Sequence, residues 1–208
     1  MGTAERKLRN RVDRKRRIVT AARAIAEREG WPAVTIRRLA DEIEYSQPVL
    51  YSHFQNRDAI VAAVAVEGFK ELTEALQGAS IAAEGTADAL RNSARAYLAF
   101  ALRNPALYEA MFILPTELLF AEVSTKPELR AAFAALAAVM KPFSADVAAA
   151  AEVYWASLHG LVELELSGRI RRGMHEERIA LLVQIMAGGA AGSGATGSDD
   201  AAPVHRST

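Results

Sequence analysis

The chain has 208 residues, 51% of them apolar, no cysteine, and 25 Lys and Arg balanced by 25 Asp and Glu. That composition fits a folded globular protein of one large or two small domains and excludes a disulfide framework and thiolate chemistry. The start, MGTAERKLRNRVDRKRR, lacks the apolar segment of a signal peptide, and the longest uncharged apolar run, 131–140, is ten residues where a bilayer crossing needs about 20, so a cytoplasmic protein is expected. The neutral total hides an asymmetry. Residues 1–57 carry 13 Lys and Arg against 7 Asp and Glu, and the remainder carries the opposite surplus. A basic head on an acidic body suits contact with a polyanion, although arginines solvating a helix face account for the charge equally well.

Nearly every periodic segment reads as helix. Residues 11–29 place Ile18, Ala21, Ala22 and Ile25 at helical spacing, and Gly30 with Pro32 supplies the stop. Thr35 is a natural N-cap for 36–43, where Ile36, Leu39, Ala40 and Ile43 form an apolar stripe. Ser46 is expected to cap a third helix, 47–54, whose first turn tolerates Pro48 because the missing N–H has no helical partner there. Asn56 caps a fourth helix over about 57–77. Further helices are expected over 86–103, 105–112, 127 to about 141, 146–166 and 176–186, with breaks at Asn104-Pro105 and at Pro115 and a Gly-containing turn between the last two. LVELEL alternates like a strand but lies inside a long helical stretch and is read as helix. From Gly188 the chain is rich in Gly, Ser and Ala, and a disordered tail is expected. The reading is therefore an all-α fold of about nine helices: a basic arm and three-helix head over 1–56, a helical body over 57–187, and a tail over 188–208.

The segment YSQPVLYSHFQNR, residues 45–57, explains the basic head. Helix 36–43, the linker Glu44-Tyr45-Ser46 and helix 47–54 form a helix-turn-helix, in which the first helix braces and the second offers its N-terminal side chains to the major groove. Leu50 and Phe54 are i, i+4 partners facing the brace, which leaves Gln47, Pro48 and Tyr51 on the opposite, exposed side. Gln47 can pair in bidentate fashion with adenine, Pro48 and Val49 can press on a thymine methyl, and Arg37 of the brace can reach guanine O6 and N7.

Residues 35–64, TIRRLADEIEYSQPVLYSHFQNRDAIVAAV, resemble the TetR family of bacterial transcriptional repressors, above all in Gln47-Pro48, Leu50-Tyr51, His53, Phe54, Asn56 and Arg57. The resemblance implies phosphate contacts from Thr35, Ser46, Tyr51, His53 and Arg57, and each of these groups is a usual phosphate partner that sets register rather than sequence. For Tyr51 and His53 the alternative is packing against the first helix; for Thr35 and Ser46 it is capping, which is compatible with both. Two positions depart from the family pattern: Glu44 stands where glycine is usual, and Arg57 where lysine is commoner. A left-handed Glu44 costs roughly 1 kcal/mol relative to glycine. The eight cations Arg6, Lys7, Arg9, Arg11, Arg14, Lys15, Arg16 and Arg17 would form an unstructured arm reaching the minor groove or the backbone, or else a solvated helix start.

For the body, the resemblance implies a ligand cavity and a dimer interface. A palindromic operator needs a two-fold protein, and the last two helices carry Val153, Leu158, Leu161, Val162, Ile179, Leu182, Val183 and Met186, suited to a four-helix bundle between subunits or to an ordinary core. Trp155 to Gly160 resembles the Trp-x-x-x-His-Gly signature of one C-terminal subtype, and Trp155 and His159 are i, i+4 neighbours that can touch. His159 is a packed side chain or a ligand contact. Phe69, Tyr97, Phe100, Tyr108, Phe112, Phe120 and Phe133 line an apolar pocket or fill the core; a pocket of that lining suits an apolar or aromatic effector. The scattered histidines, with no phosphate loop and no His-Glu motif, argue against an enzyme, and no cofactor or metal is expected. The expected function is a dimeric, ligand-responsive repressor with a double-stranded DNA operator and a small-molecule effector as partners; the alternative is a constitutive DNA-binding protein with no effector.

Overall fold

The computed structural model describes residues 3–192. Helix α1 (Thr3–Glu29) begins well before residue 11, so the basic segment is helical and not the unstructured arm expected. Residues 4–17 hold neither glycine nor proline and are mostly Arg, Lys, Ala, Leu and Glu, strong helix formers that let the helix propagate outward from its packed end. Those outer turns pack on little: Leu8 and Val12 are 65% and 58% exposed. From Ile18 onward, Ile18, Ala22, Ile25 and Ala26 enter the core. The helix stops at Gly30, which adopts φ 81° while its N–H bonds back to the Ala26 carbonyl at 2.8 Å, and a 3-10 turn, Trp31–Ala33, follows.

Helix α2 (Ile36–Glu42) is capped as expected: the Thr35 hydroxyl oxygen accepts the Arg38 N–H at 3.1 Å. Helix α3 (Gln47–Tyr51) is shorter than 47–54, because beyond Tyr51 the chain tightens into turns, the Phe54 N–H still reaching the Leu50 carbonyl at 2.9 Å. Ser46 holds the N-cap position with extended backbone, but its hydroxyl makes no capping bond. Glu44, between the two helices, sits at φ 56°, the left-handed region in which a Cβ is strained.

The long α4 (Arg57–Ile81) starts at Asn56, whose side-chain oxygen accepts the Ala59 N–H at 2.8 Å. It is followed by α5 (Thr86–Arg103), α6 (Pro105–Phe112), α7 (Pro127–Met140), α8 (Val147–Leu166) and α9 (His175–Gly192). Proline opens α6 and α7, where its missing N–H costs no hydrogen bond, and the Asp146 carboxylate caps α8 by accepting the Ala149 N–H at 3.1 Å. LVELEL lies in α8, and no strand occurs among the described residues. Helix α9 runs to Gly192, so residues 188–192 of the expected tail are helical, while 193–208 lie outside the described residues.

Helix α4 is the axis of the fold, packed by α1 on the head side and by α5, α6 and α7 on the other. At Gly68 a Cβ would lie 2.5 Å from Met111 Sδ and 2.9 Å from Leu107 Cδ1, so glycine is what lets α4 and α6 approach this closely. One continuous apolar cluster joins head and body, from Ile18, Leu39 and Leu50 through Leu72, Leu107 and Tyr154 to Ile179. Leu158, Val162, Ile179, Leu182 and Val183 belong to this core, which removes them as candidates for an intersubunit face; the outward apolar residues of α8 and α9 are Val153, Leu164, Leu166, Leu181 and Ile185. Both helices are apolar on several sides, so periodicity alone does not say which side faces out.

Candidate nucleic-acid interface and ligand cavity

The head presents a small polar and aromatic face on a solid base. Leu39, Leu50 and Phe54 are buried between α1, α2 and α3, and their burial turns Gln47, Pro48 and Tyr51 outward, with Tyr51 55% exposed. Val49 is half-buried, and Arg37 is exposed with no hydrogen bond or ion pair to any described residue. Its neighbour Arg38 is spent internally, bonding Glu42 at 2.6 Å and Glu29 at 3.3 Å, which ties α2 to the end of α1. Among the described residues, the Ser46 hydroxyl, the Gln47 side chain, Tyr51 and Arg37 are thus left without hydrogen-bond partners on this side. Thr35 is exposed although its hydroxyl oxygen already serves as a cap.

His53 is half-buried beside the basic turns of α1. Burial first, then the charges of Arg11, Arg14 and Lys15, hold its pKa below the ordinary histidine value, so the ring is neutral near pH 7. The same stretch of α1 is pinned to the head by cation–π contacts. Lys15 lies 5.4 Å from the Phe54 ring centre, and Arg17 lies over Tyr45 at 5.3 Å while also donating to its hydroxyl at 3.1 Å.

Arg57, expected to hold a phosphate, is also engaged inside the head. Its Nε–H donates to the Val34 carbonyl at 2.8 Å and its Nη2 to the Trp31 carbonyl at 2.7 Å. The Trp31 carbonyl accepts the last bond of the 3-10 turn, from the Val34 N–H at 3.1 Å, and the Val34 carbonyl lies just beyond it; the guanidinium fork at the start of α4 spans both and closes that end. Its signal in the sequence, an arginine two dozen residues downstream of a Trp-Pro turn, has no local pattern to reveal it.

The body is hollow. A cavity of about 600 Å3 lies between α4, α5, α7 and α8, walled by Phe69, Tyr97, Phe112, Phe133, Leu136 and Trp155, with Glu122, Arg130 and Glu152 also contributing. A smaller chamber of about 340 Å3 shares Phe112, Phe120, Trp155 and Ala156 with it and is completed by His159. The rings interlock: Phe69 meets Phe112 edge to face at 5.2 Å and Phe112 meets His159 edge to face at 5.4 Å, while Phe112 and Trp155 are tilted at 5.9 Å between centres. Of the candidates, Phe69, Tyr97, Phe112, Phe120, Phe133 and Trp155 line the larger chamber, and His159 lines the smaller one. Phe100 lines neither chamber and is buried in the core, and Tyr108 stands behind the wall, fully buried. Of the α7 wall only Phe133 was anticipated; Leu129, Ala132 and Leu136 follow the same helical spacing, but that pattern is also what plain core looks like.

Tyr108 and His159 belong to a polar chain inside this apolar wall. Trp155 Nε1–H donates to the Tyr97 hydroxyl at 3.0 Å, the Tyr97 and Tyr108 hydroxyls are 3.0 Å apart, and the Tyr108 hydroxyl lies 2.5 Å from His159 Nδ1. Burial pushes both tyrosines well up from the ordinary phenol value and His159 down, so all three are neutral.

Helix α6 connects this wall to the head. The Glu27 carboxylate of α1 accepts the Ala106 and Leu107 N–H groups at 3.2 and 2.9 Å, capping α6 from the neighbouring domain, and the Trp31 indole N–H donates to the Ala106 carbonyl at 2.7 Å. Arg23 bridges Glu71 of α4 at 2.5 Å and the Asn104 side-chain oxygen at 3.0 Å. Beside that first turn α6 carries Tyr108, and at its far end Phe112, into the aromatic wall.

A helix-turn-helix head joined to a hollow helical body defines the class as a one-component DNA-binding regulator. Comparison with known proteins agrees. Residues 18–64 match the bacterial regulatory proteins of the tetR family, and residues 90–203 match the tetracyclin repressor-like C-terminal domain. An uncharacterized HTH-type transcriptional regulator of Mycobacterium tuberculosis, Rv0681, is 30% identical over 158 residues, 73% of this chain and 69% of its own length. Among solved structures, a Rhodococcus sp. RHA1 protein of unknown function superposes with TM-score 0.68 at 24% identity, over 84% of this chain and 94% of that one. RolR in complex with resorcinol superposes with TM-score 0.62 at 16% identity, over 92% and 98% of the two chains. The chain belongs to the TetR family of bacterial transcriptional regulators. Its function is transcriptional regulation through DNA rather than catalysis, and no helix among the described residues is long and apolar enough to cross a membrane.

Proposed function

We propose that this regulator is a homodimeric repressor that binds a palindromic operator and leaves it when a small, mostly apolar molecule fills the body cavity. The observation that carries this reading is the pairing of an outward polar and aromatic face on α3 with an aromatic-walled hollow of about 600 Å3, a size typical of small-molecule sites. A close-packed body would have favoured a constitutive DNA-binding protein; the hollow favours an effector. RolR, whose solved complex holds resorcinol, is a fold relative with an aromatic ligand, which is in keeping with an aromatic lining.

On the DNA, Gln47, Pro48 and Val49 read bases, with Arg37 reaching from α2, and Thr35, Ser46, Tyr51 and His53 hold phosphates. Arg57 acts from behind, fixing the turn that positions α2. The dimer forms through the outward apolar residues of α8 and α9, Val153, Leu164, Leu181 and Ile185, which otherwise stand in water. An occupant of the cavity pushes on Phe112 and Tyr108, and α6 passes the displacement to Glu27 and Trp31. The two recognition helices of the dimer then lose the spacing of about 34 Å that one DNA turn demands. Effector and operator thus prefer different arrangements, and a coupling of about 1–3 kcal/mol suffices for a 5- to 150-fold effect.

The test is selection from a randomised duplex library at two salt concentrations, with a Gln47→Ala, Tyr51→Ala double variant in parallel. A palindromic site enriched by the wild type and lost in the variant is the expected result. Salt-sensitive binding with no enriched sequence would sink the repressor reading and leave the basic head as a non-specific polyanion contact.

A further inference from the structure

The smaller chamber is apolar apart from one ring. Phe112, Phe120, Trp155 and Ala156 offer nothing polar to its interior, because the Trp155 indole N–H is already given to Tyr97, and His159 completes the wall. The hydrogen-bond chain behind the wall decides what His159 presents. An indole N–H can only donate, so the Tyr97 oxygen is an acceptor of that bond. Tyr97 is fully buried, and the one remaining partner for its own hydroxyl proton is the Tyr108 oxygen, 3.0 Å away. Tyr108 must then send its proton onward to His159 Nδ1 at 2.5 Å. The reverse order, with His159 Nδ1–H donating to Tyr108 and Tyr108 to Tyr97, leaves the Tyr97 proton without an acceptor in a dry site, a cost that shifts the tautomer population by about tenfold or more. The ring is therefore neutral with its proton on Nε2, and Nε2 has no partner among the described residues.

We infer that His159 presents its Nε2–H to the chamber as a lone hydrogen-bond donor, so that the effector is a neutral, largely apolar molecule carrying a carbonyl-type acceptor. This rests on the cavity being the effector site. Neutrality follows from the surroundings of the donor. Glu163 lies one helical turn beyond His159 on α8, and its charge acts on His159 and on both tyrosines, which disfavours an anion at that end. Among the described residues, Arg130 is the single cation lining the larger chamber, and it is accompanied there by Glu122 and Glu152, so that wall offers no net positive charge. A cationic head group would meet the donor proton instead of an acceptor.

Two measurements on the full chain test this. The first is nitrogen-15 NMR of histidine-labelled protein near neutral pH, with the His159 signals assigned through contacts to the Trp155 ring. The Nε2–H tautomer is expected in the wild type, and Tyr108→Phe, which removes the proton offered to Nδ1, is expected to let the Nδ1–H tautomer appear. A wild-type ring that is doubly protonated or carries its proton on Nδ1 overturns the inference. The second is calorimetric titration with benzophenone and with diphenylmethane, which differ by a carbonyl in place of a methylene. The benzophenone-to-diphenylmethane affinity ratio is expected to fall by on the order of tenfold in His159→Phe, which keeps an aromatic ring but has no donor. If both molecules bind and the ratio is unchanged, the donor is refuted while the effector cavity stands. If neither binds the wild type, the cavity reading fails and the donor inference with it.

Discussion

Head and body place their functional groups on opposite sides of their hydrophobic cores. In the head, Leu39, Leu50 and Phe54 fill the interior and the residues that would meet DNA, Gln47, Pro48 and Tyr51, stand outside it. In the body, the residues that would meet a ligand, Phe112, Trp155 and His159, are the inner wall of a hollow. Activity and stability should therefore be separable in the head, where surface substitutions remove contacts without opening the core. In the body they are entangled wherever a wall residue is also core, as Phe69 is, and separable only at half-exposed wall positions such as Phe120.

The sharpest way to break this contrast is to compare aromatic truncations. Trp31→Ala removes a fully buried side chain together with its bond to the Ala106 carbonyl and is expected to cost about 3–5 kcal/mol, lowering the melting temperature by about 10 °C or more. Phe120→Ala, at a cavity wall where the ring is 40% exposed, is expected to cost about 1 kcal/mol or less. Equal losses in thermal unfolding would mean that the body is not hollow in solution. Arg57 sharpens the comparison from the other side, as a half-exposed residue of the head with a structural job. Arg57→Lys keeps the charge but cannot close both carbonyls, so a loss of about 1–3 kcal/mol in denaturant unfolding is expected; unchanged stability with weakened DNA binding would return it to a phosphate role.

Glu44→Gly relieves the left-handed backbone at φ 56° and is expected to stabilise by about 1 kcal/mol, a rise of about 2–4 °C, without loss of operator binding. The smallest effect expected is that of pH. His53 and His159 both have depressed pKa values in the fold, so the unfolded chain takes up protons that the folded chain refuses. Stability present above the ordinary histidine pKa is then lost as pH falls through it, and the melting temperature should drop between about pH 7.5 and about pH 5.5. Replacing His53 by Gln or His159 by Phe should each flatten that drop. A profile unaltered by either substitution would assign it to other groups.

The helices were legible because their ends carry local chemistry. Thr35, Asn56 and Asp146 cap through their own side chains, Pro105 and Pro127 mark first turns, and Gly30 marks a stop, each within four residues of the bond it makes. What stayed hidden was set by contacts far along the chain. Glu27 caps a helix some 80 residues away, Arg57 serves carbonyls more than 20 residues upstream, and Tyr108 meets His159 across 51 positions. Ser46 shows the limit of the local rule, since it occupies a cap position while its hydroxyl makes no cap bond. The aromatic residues were visible as candidates, but whether a ring walls a hollow or fills a core depends on what faces it, and Phe100 and Phe112 look alike in sequence.

The Glu27 carboxylate and the Trp31 indole, bound to the backbone of the first turn of α6, also bear on how the protein can be re-engineered. A chimera that transplants this head onto another ligand-binding body, cut in the turn before α4, would carry both side chains into a setting with nothing to receive them. The portable unit is the head together with α4 and the opening turn of α6, and a graft that keeps those pieces in one parent should retain communication that a cut at the domain boundary would sever.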